Sequence, residues 1–183
     1  MTSRAWLPLM AAALAVTATG VTLWRDPPPM LVWNITASAP MGLYRVSRAD
    51  PLRRGDLVVA RPSGRLAAFL AERGYLPLGV PLIKPVAALP GQRVCRVGSA
   101  IMIDGAVAAD ARRHDRWGRD LPVWWGCRTI ARGEVFLMNP ARRDSLDGRY
   151  FGALAATSVV GRAQPLWVLP GPDDRSPSAE RRR

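Results

Sequence analysis

A mainly β domain behind one N-terminal transmembrane helix is the fold class that the sequence predicts. From Ala5 to Trp24 no residue is charged, and this run has about the 20 residues that a helix needs to cross a bilayer. Beyond it, short β-branched or apolar segments recur between glycines and prolines, a pattern typical of strands joined by turns. The chain of 183 residues is long enough for one such domain with short appendages.

The charges that flank the apolar run orient the predicted helix. Arg4 and the N-terminal amine precede it, whereas Asp26 offsets Arg25 after it. Basic residues favour the cytoplasmic side, so we expect the N-terminus in the cytoplasm and the rest of the chain outside. A cleaved secretory signal is the alternative, because Ala13 and Ala15 are small enough to form a cleavage site. Both interpretations export the domain.

The chain divides into three regions. Residues 1–29 comprise the cytoplasmic N-terminus, the predicted helix and a spacer that the prolines at 27–29 make stiff. Residues 30–169 form the exported domain. Residues 170–183 are rich in Pro, Ser, Asp and Arg, a composition that predicts a disordered basic tail.

Strands are predicted from apolar or β-branched segments bounded by turn residues. They are expected over residues 30–36, 42–46, 56–60, 82–88, 92–97, 134–138 and 159–168. Residues 101–108 carry Asp104 and Gly105 at their centre, the favoured dipeptide of a two-residue hairpin turn.

Two other elements interrupt the strands. A helix is expected over residues 65–73, with Gly74 as its stop signal. Residues 109–132 are polar, contain Trp117, Trp124 and Trp125, and separate two hairpin-like regions. We therefore expect a cap or an extended loop there.

The net charge of +12 is spread along the chain. Basic residues occur from Arg45 to Arg162 without a dense stripe, and the tight cluster at 181–183 is terminal. A nucleic-acid-binding protein usually concentrates its charge on one face or in a known module, so no nucleic-acid partner is expected.

The histidine and cysteine contents exclude several kinds of site. His114 is the only histidine and lies in a polar run that favours an exposed loop position, so neither a histidine-based triad nor a three-histidine zinc site is expected. Cys95 and Cys127 are the only cysteines, which rules out a four-cysteine zinc site and leaves one disulfide possible.

Lys84 is the only lysine in a chain whose other cationic side chains are arginines, His114 aside. An arginine cannot be deprotonated in a protein, whereas a desolvated lysine can become a neutral amine. Lys84, between Ile83 and Pro85, is therefore a candidate general base. An ordinary surface lysine is the alternative.

Ser38 follows a predicted strand and precedes Pro40 and Gly42, which favour a turn. Such a turn can present the hydroxyl outward. Ser-x-Pro is also common in turns without any function, so Ser38 is a candidate nucleophile only in combination with other motifs.

Four motifs occur in the order seen in type I signal peptidases, and in them the sequence resembles that family. They are Ser-x-Pro-x-Gly from Ser38, Gly55-Asp56, the lysine box over 82–94 with its Leu-Pro-Gly, and Ser-x-Asp-x-Arg-Tyr-Phe-Gly from Ser145. The form Asn-x-Thr-x-Ser-x-Pro-x-Gly-Leu-Tyr, together with residues 126–128 and 133–139, is similar to the TraF-type conjugative-transfer peptidases. The match covers most of the exported domain and implies a signal-peptidase-like β domain.

The resemblance implies a Ser/Lys catalytic dyad that needs neither metal nor cofactor. Ser38 would attack the scissile carbonyl and form an acyl-enzyme. Lys84 would accept the serine proton, for which burial must lower its pKa. The Ser38 backbone amide and the Thr36 hydroxyl match the family's donors to the oxyanion, although Thr36 could be only a strand residue.

The last motif implies a support for the lysine. Ser145 matches the family serine that hydrogen-bonds the amine, and Asp147 and Arg149 would brace it, on one face of an extended segment. A turn-forming Asp-Gly dipeptide is the alternative for Asp147. Residues 141–144 depart from the housekeeping pattern, so no role is carried over to Asp144.

Export to an oxidising compartment predicts a disulfide between Cys95 and Cys127, because structural disulfides persist outside the cytosol. Two buried free thiols are the alternative.

The resemblance as a whole implies a serine endopeptidase of a Gram-negative inner membrane, single-pass, with its catalytic domain in the periplasm. It would remove leader or terminal segments from precursor proteins. The TraF-type features imply a pilin precursor with small residues before the scissile bond, whose product is released by hydrolysis or closed into a ring.

Three other functions are weighed against this one. A general type I signal peptidase has the same chemistry. An autoproteolytic repressor has a related dyad, but in a cytosolic chain, and the predicted membrane span argues against it. A non-catalytic, membrane-anchored component of a secretion channel would not need both Ser38 and Lys84.

Overall fold

Strands dominate the part of the chain that the computed structural model describes, which comprises residues 6–24, 31–36 and 38–169. The strands are β1 (Leu31–Asn34), β2 (Gly42–Ser47), β3 (Leu57–Ala60), β4 (Leu82–Ala88), β5 (Arg93–Val97), β6 (Ala100–Ile103), β7 (Ala106–Asp110), β8 (Gly126–Thr129), β9 (Glu134–Leu137), β10 (Leu154–Ala155) and β11 (Val159–Val168). The helices are α1 (Trp6–Trp24), α2 (Gly64–Glu72) and α3 (Gly148–Phe151). The prediction of a mainly β domain is confirmed.

The N-terminal helix α1 lies where a membrane span was predicted over residues 5–24. Within the described residues, no helix combines the length and the hydropathy that a bilayer crossing requires, so the predicted span is not confirmed. The charges at Arg4 and Arg25, the proline spacer and the tail at 170–183 lie outside the described residues.

The larger sheet is antiparallel and has the strand order β1-β2-β11-β3-β4-β9-β10. The last strand, β11, lies in its middle and pairs with β2 on one side and with β3 on the other. The β1–β2 hairpin on one side of β11 carries Ser38, and β4 on the other side carries Lys84. The elements that carry the two candidate residues are therefore joined in one sheet through β11.

The smaller sheet has the order β7-β6-β5-β8. Its β6–β7 hairpin turns at Asp104 and Gly105, which both have positive φ, as the Asp-Gly dipeptide predicts. The prediction of a cap or loop over 109–132 is wrong at its two ends, because β7 continues to Asp110 and β8 begins at Gly126. All four β8 residues are exposed, so β8 lacks the alternation that marks a strand.

The core covers both faces of the larger sheet. Val59 and Ile83 pack on one face, whereas Val58, Val86 and Leu137 pack on the other. A strand that is buried on both faces is expected to be apolar at nearly every position, and this explains why β4 has the bounds that its composition predicted. Lys84 is the exception in that strand.

Helix α2 covers one end of β4. It was predicted over 65–73 and is observed over Gly64–Glu72, and Gly74 follows it with a φ of 67°. Its buried Leu70 packs against Leu76 and Leu82. This packing places α2 beside the strand that carries Lys84 and forms one wall of the cleft described next.

Candidate active site

A cleft of about 580 Å³ brings together the residues that the sequence singled out. Ser38, Thr36, Lys84 and Ser145 all line it. Its remaining walls come from α2, from the segment around residues 112–121 and from the turn before α3. The other lining residues are Ile35, Met41, Leu70, Gly74, Tyr75, Leu76, Pro81, Leu82, Arg112, His114, Asp115, Arg116, Trp117, Leu121, Asp144, Leu146 and Tyr150.

Ser38 lies in the loop between β1 and β2, half-buried in the cleft. The loop ends where Asn34 pairs with Gly42 across the hairpin. Gly42 has a φ of 149°, and a Cβ there would overlap the carbonyl oxygen of Trp167 in β11. The glycine of the Ser-x-Pro-x-Gly motif is thus required by the close approach of β11, which holds the end of the serine loop.

Lys84 is buried in β4, with a relative exposure of 2%. It lies opposite Val58, and its Nζ donates a hydrogen bond of 2.8 Å to Ser145 Oγ. Burial lowers the pKa of Lys84 to about 8, Arg149 lowers it further, and Asp147 and Asp144 partly oppose the shift. A substantial fraction of this amine is therefore neutral at mildly alkaline pH.

Asp147 and Arg149 form a buried ion pair beneath Ser145, with exposures of 0% and 1%. Arg149 Nε and Nη2 each donate to the carboxylate at 2.9 Å. Arg149 Nη2 also donates to the backbone oxygens of Asn139, Arg142 and Ser145. The ion pair therefore fixes the whole turn that carries Ser145.

The local geometry of this pair differs from the prediction. We expected Asp147 and Arg149 on one face of an extended segment, but Asp147 is the N-cap of α3 and accepts a bond from the Arg149 backbone N–H. The turn can pack closely on β9 because a glycine follows Asp147: a Cβ at Gly148 would lie 2.8 Å from the Leu137 carbonyl oxygen. The Asp-Gly dipeptide is thus both a cap and a point of close packing.

The hydroxyls of Thr36 and Ser38 are 3.1 Å apart. Thr36 has one hydroxyl proton and donates it to Asn34 Oδ1 at 2.8 Å, so Ser38 Oγ must be the donor in the bond between the two hydroxyls. Among the residues that the structure describes, no hydrogen bond joins Ser38 Oγ to Lys84 Nζ. Rotation of the serine hydroxyl is needed to bring its proton to the amine.

The smaller sheet is tied to the same turn. Arg96 Nη1 donates to the Arg149 carbonyl oxygen at 2.6 Å, and Trp124 Nε1 donates to the Gly148 carbonyl oxygen at 3.1 Å. The Tyr150 hydroxyl accepts a bond from the Arg112 backbone N–H. These contacts brace α3 through its backbone and through the Tyr150 side chain.

The part of the cleft wall around Tyr75 and Trp117 is aromatic and cationic. The Tyr75 hydroxyl donates to Asp115, which also binds the Arg119 side chain. The Arg116 and Arg119 guanidinium groups lie 4.0 and 4.5 Å from the centre of the Trp117 ring. His114 is half-exposed here and pairs with Asp120, in line with the exposed position predicted for it.

Cys95 and Cys127 form a disulfide in the structure. The two residues are direct partners across β5 and β8. The bond therefore joins the edge strand that the sequence did not predict to the middle of the smaller sheet. Within the described ranges, no group of three or more His, Cys, Asp or Glu side chains could hold a metal ion.

The family described as signal peptidase, peptidase S26, matches residues 3–168. The chain belongs to this family. It is 38% identical over 148 residues to the conjugal transfer protein TraF of Agrobacterium fabrum, a match that covers 74% of this chain and 81% of the relative. The probable conjugal transfer protein TraF of Sinorhizobium fredii is also 38% identical, over 143 residues, with coverages of 73% and 74%.

A crystal structure of a signal peptidase I from Enterococcus faecalis aligns with this member of the signal peptidase family. The TM-score is 0.39 at 21% sequence identity, and the alignment covers 63% of this chain and 98% of the bacterial enzyme.

Two residues that bind the serine loop were not singled out from the sequence. Asn139 Nδ2 donates to the Ser38 carbonyl oxygen at 2.6 Å, and the Asn34 side chain binds Thr36 and two further loop residues. Asn34 begins the motif that contains Ser38, and Asn139 precedes the one that contains Ser145. Their positions next to these motifs are the sequence feature that could have pointed to them.

Proposed function

We propose that this signal peptidase family member is a serine endopeptidase in which Ser38 is the nucleophile and Lys84 the general base. One observation carries the proposal: the only lysine of the chain is buried, has a pKa lowered to about 8, and lies in the same cleft as Ser38. A buried, hydrogen-bonded amine of this kind is suited to proton transfer rather than to a surface role.

The mechanism follows from these positions. Ser38 Oγ forms a bond to the scissile carbonyl carbon while its proton passes to Lys84 Nζ, and the peptide C–N bond then breaks as the ammonium returns a proton to the leaving amine. Water attacks the acyl-enzyme with Lys84 again as base. Ser145 orients the amine throughout. Thr36 can serve the oxyanion once its hydroxyl turns away from Asn34.

The cleavage rate should depend on pH through Lys84. Only the neutral amine accepts a proton, so kcat/KM is expected to rise with pH, to reach half its plateau near pH 8 and to fall tenfold per pH unit well below that. An unburied lysine would place the midpoint near 10.5. Initial rates on a fluorogenic precursor peptide between pH 6 and 11 measure the profile, and a flat profile would contradict the assignment of Lys84.

The substrate that we propose is a pilin precursor of a conjugation system. The support is the similarity to TraF proteins, which are named for conjugal transfer. We expect small residues before the scissile bond, since a compact apolar subsite excludes larger ones. Hydrolysis and transfer of the acyl group to an amine, which closes a ring, are both compatible with a serine acyl-enzyme.

The proposed location is the inner membrane, with the domain on the periplasmic side. Large apolar side chains are exposed where β1, β2 and β11 end beside the cleft, among them Trp33, Ile35, Met41 and Trp167. The rings of Trp33 and Trp167 lie 5.6 Å apart. Tryptophans concentrate at membrane–water interfaces, so this edge is suited to rest on the bilayer with α1 as the anchor.

Co-expression with the pilin precursor tests the proposed substrate. Intact-mass analysis should show a shortened pilin with the wild-type chain and an uncut precursor with Ser38→Ala. A product one water heavier than the ring indicates hydrolysis, and the ring itself indicates acyl transfer. Failure to cut the pilin while other exported precursors are processed would instead favour a general signal peptidase.

A further inference from the structure

The chain contains only two asparagines, Asn34 and Asn139. Both side chains bind the loop that carries Ser38, although they lie far apart in the sequence. Neither takes a part in the proton transfer described above. Because both side chains bind the same loop, we looked for one role that accounts for both.

Asn34 shapes the loop from inside. Its side chain is buried, with a residue exposure of 5%. Nδ2 donates to the backbone oxygens of Thr36, Ala39 and Pro40 at 3.0 to 3.1 Å. Oδ1 accepts from the backbone N–H and the hydroxyl of Thr36. One carboxamide therefore satisfies polar groups on both sides of Ser38.

Asn139 holds the loop from outside. Its Nδ2 donates to the Ser38 carbonyl oxygen, and its Oδ1 accepts from the Ala141 backbone N–H at 3.0 Å. Its own backbone N–H donates to Asp147 Oδ2, and its carbonyl oxygen accepts from Arg149. The buried ion pair thus fixes the backbone whose side chain reaches Ser38.

We propose that Asn34 and Asn139 are positioning residues that hold Ser38 in register with Lys84, an inference that rests on the proposed function. The Asp147–Arg149 turn then positions both members of the dyad: Lys84 through Ser145 Oγ, and Ser38 through the Asn139 carboxamide. Fixing the Ser38 carbonyl fixes the backbone at that residue, and hence the directions of its Cα–Cβ bond and its N–H. Both directions matter, because the Oγ attacks and the N–H faces the developing oxyanion.

Asn139→Asp is the sharpest single test. The variant keeps the size of the side chain, the acceptor for Ala141 and both backbone bonds, and it replaces only the donor to Ser38 with a repelling oxygen. A displacement of about 1 Å can cost about 10²-fold in rate. We therefore expect kcat on the alkaline plateau to fall about 10²-fold, with KM within about threefold of wild type, because a displaced Ser38 weakens the transition state and leaves substrate binding nearly unchanged.

Further variants separate charge from geometry. Asn139→Ala removes the same donor without adding a charge and should lose a similar factor. Asn34→Asp keeps the two bonds that Oδ1 accepts from Thr36, loses those that Nδ2 donates to Thr36, Ala39 and Pro40, and should also lower plateau kcat. Gln164→Glu makes the same amide-to-carboxylate change on an exposed part of β11 and should leave kcat unchanged. Plateau rates are compared so that a shifted pKa of Lys84 does not contribute.

Amide hydrogen exchange provides a readout without cleavage. In Asn139→Asp, the backbone amides of Thr36, Ser38, Ala39 and Met41 should exchange faster while those of β4 and α3 stay protected. If wild type cleaves and the folded Asn139 and Asn34 variants keep kcat within threefold, the positioning role is wrong and the proposed function stands. If wild type cleaves nothing, the proposed function fails, and unchanged exchange in the loop would overturn the positioning role as well.

Discussion

Replacing Lys84 with arginine is expected to abolish precursor cleavage as completely as replacing Ser38 with alanine. Arginine keeps the positive charge and most of the length, but its guanidinium stays protonated and cannot act as a base. Loss of one member of a catalytic unit costs on the order of 10⁴- to 10⁶-fold in kcat. Cleavage of a labelled precursor by extracts of expressing cells measures the loss, and both variants should stay folded.

Two further variants make this result interpretable. Lys84→Met removes the amine without burying a guanidinium, so it tests the base even if the arginine is too large for the site. The Ser38→Ala/Lys84→Arg double variant should be no worse than either single one, because the two residues act as a unit. A Lys84→Arg enzyme that processes its precursor at near wild-type rate would make Lys84 a structural cation and the dyad assignment wrong.

Asp147→Asn is expected to lower the free energy of unfolding by about 3 to 5 kcal/mol, the usual cost of removing one partner from a buried ion pair. The amide is isosteric with the carboxylate, so the change isolates the charge. It leaves the Arg149 guanidinium, which is 1% exposed, without its counter-ion. Urea unfolding followed by tryptophan fluorescence measures the difference.

The control for this variant is an ion pair near the surface. Arg128 and Glu134 pair with side-chain exposures of 47% and 27%, and Glu134→Gln should cost less than about 1 kcal/mol. Equal losses in the two variants would show that the buried charge of Asp147 has no special structural role.

Strands buried on both faces were the part of the fold that the sequence predicted best. β4, buried along nearly its whole length, has the predicted bounds because continuous apolar composition needs no knowledge of partners. β11 also has its predicted bounds, although the second half of the strand is exposed. The four exposed residues of β8 carry no such pattern, and their pairing with β5 is a tertiary contact. Helix α3, over Gly148–Phe151, is too short to show helical periodicity.

In the site, too, the local features were predicted and the tertiary contacts were not. Ser38, Lys84 and Ser145 belong to motifs that can be read locally, and the structure brings them into one cleft. The bond from Asn139 to Ser38 spans a sequence separation of 101 residues, so no local pattern predicts it. The extended pairing expected for Asp147 and Arg149 was wrong because Asp147 caps a short helical turn that begins at Gly148.

The interior position of β11 in the larger sheet determines when the folded site can form during synthesis of the chain. Ser38 and Lys84 are both made early, yet the hairpin of one and the strand of the other are joined in the sheet only through β11, over Val159–Val168. A nascent chain that ends before this strand has the β1–β2 hairpin and the β3–β4 pair without the strand that joins them in the sheet. Under the proposed function, cleavage activity is therefore expected only after nearly the whole domain has been synthesised.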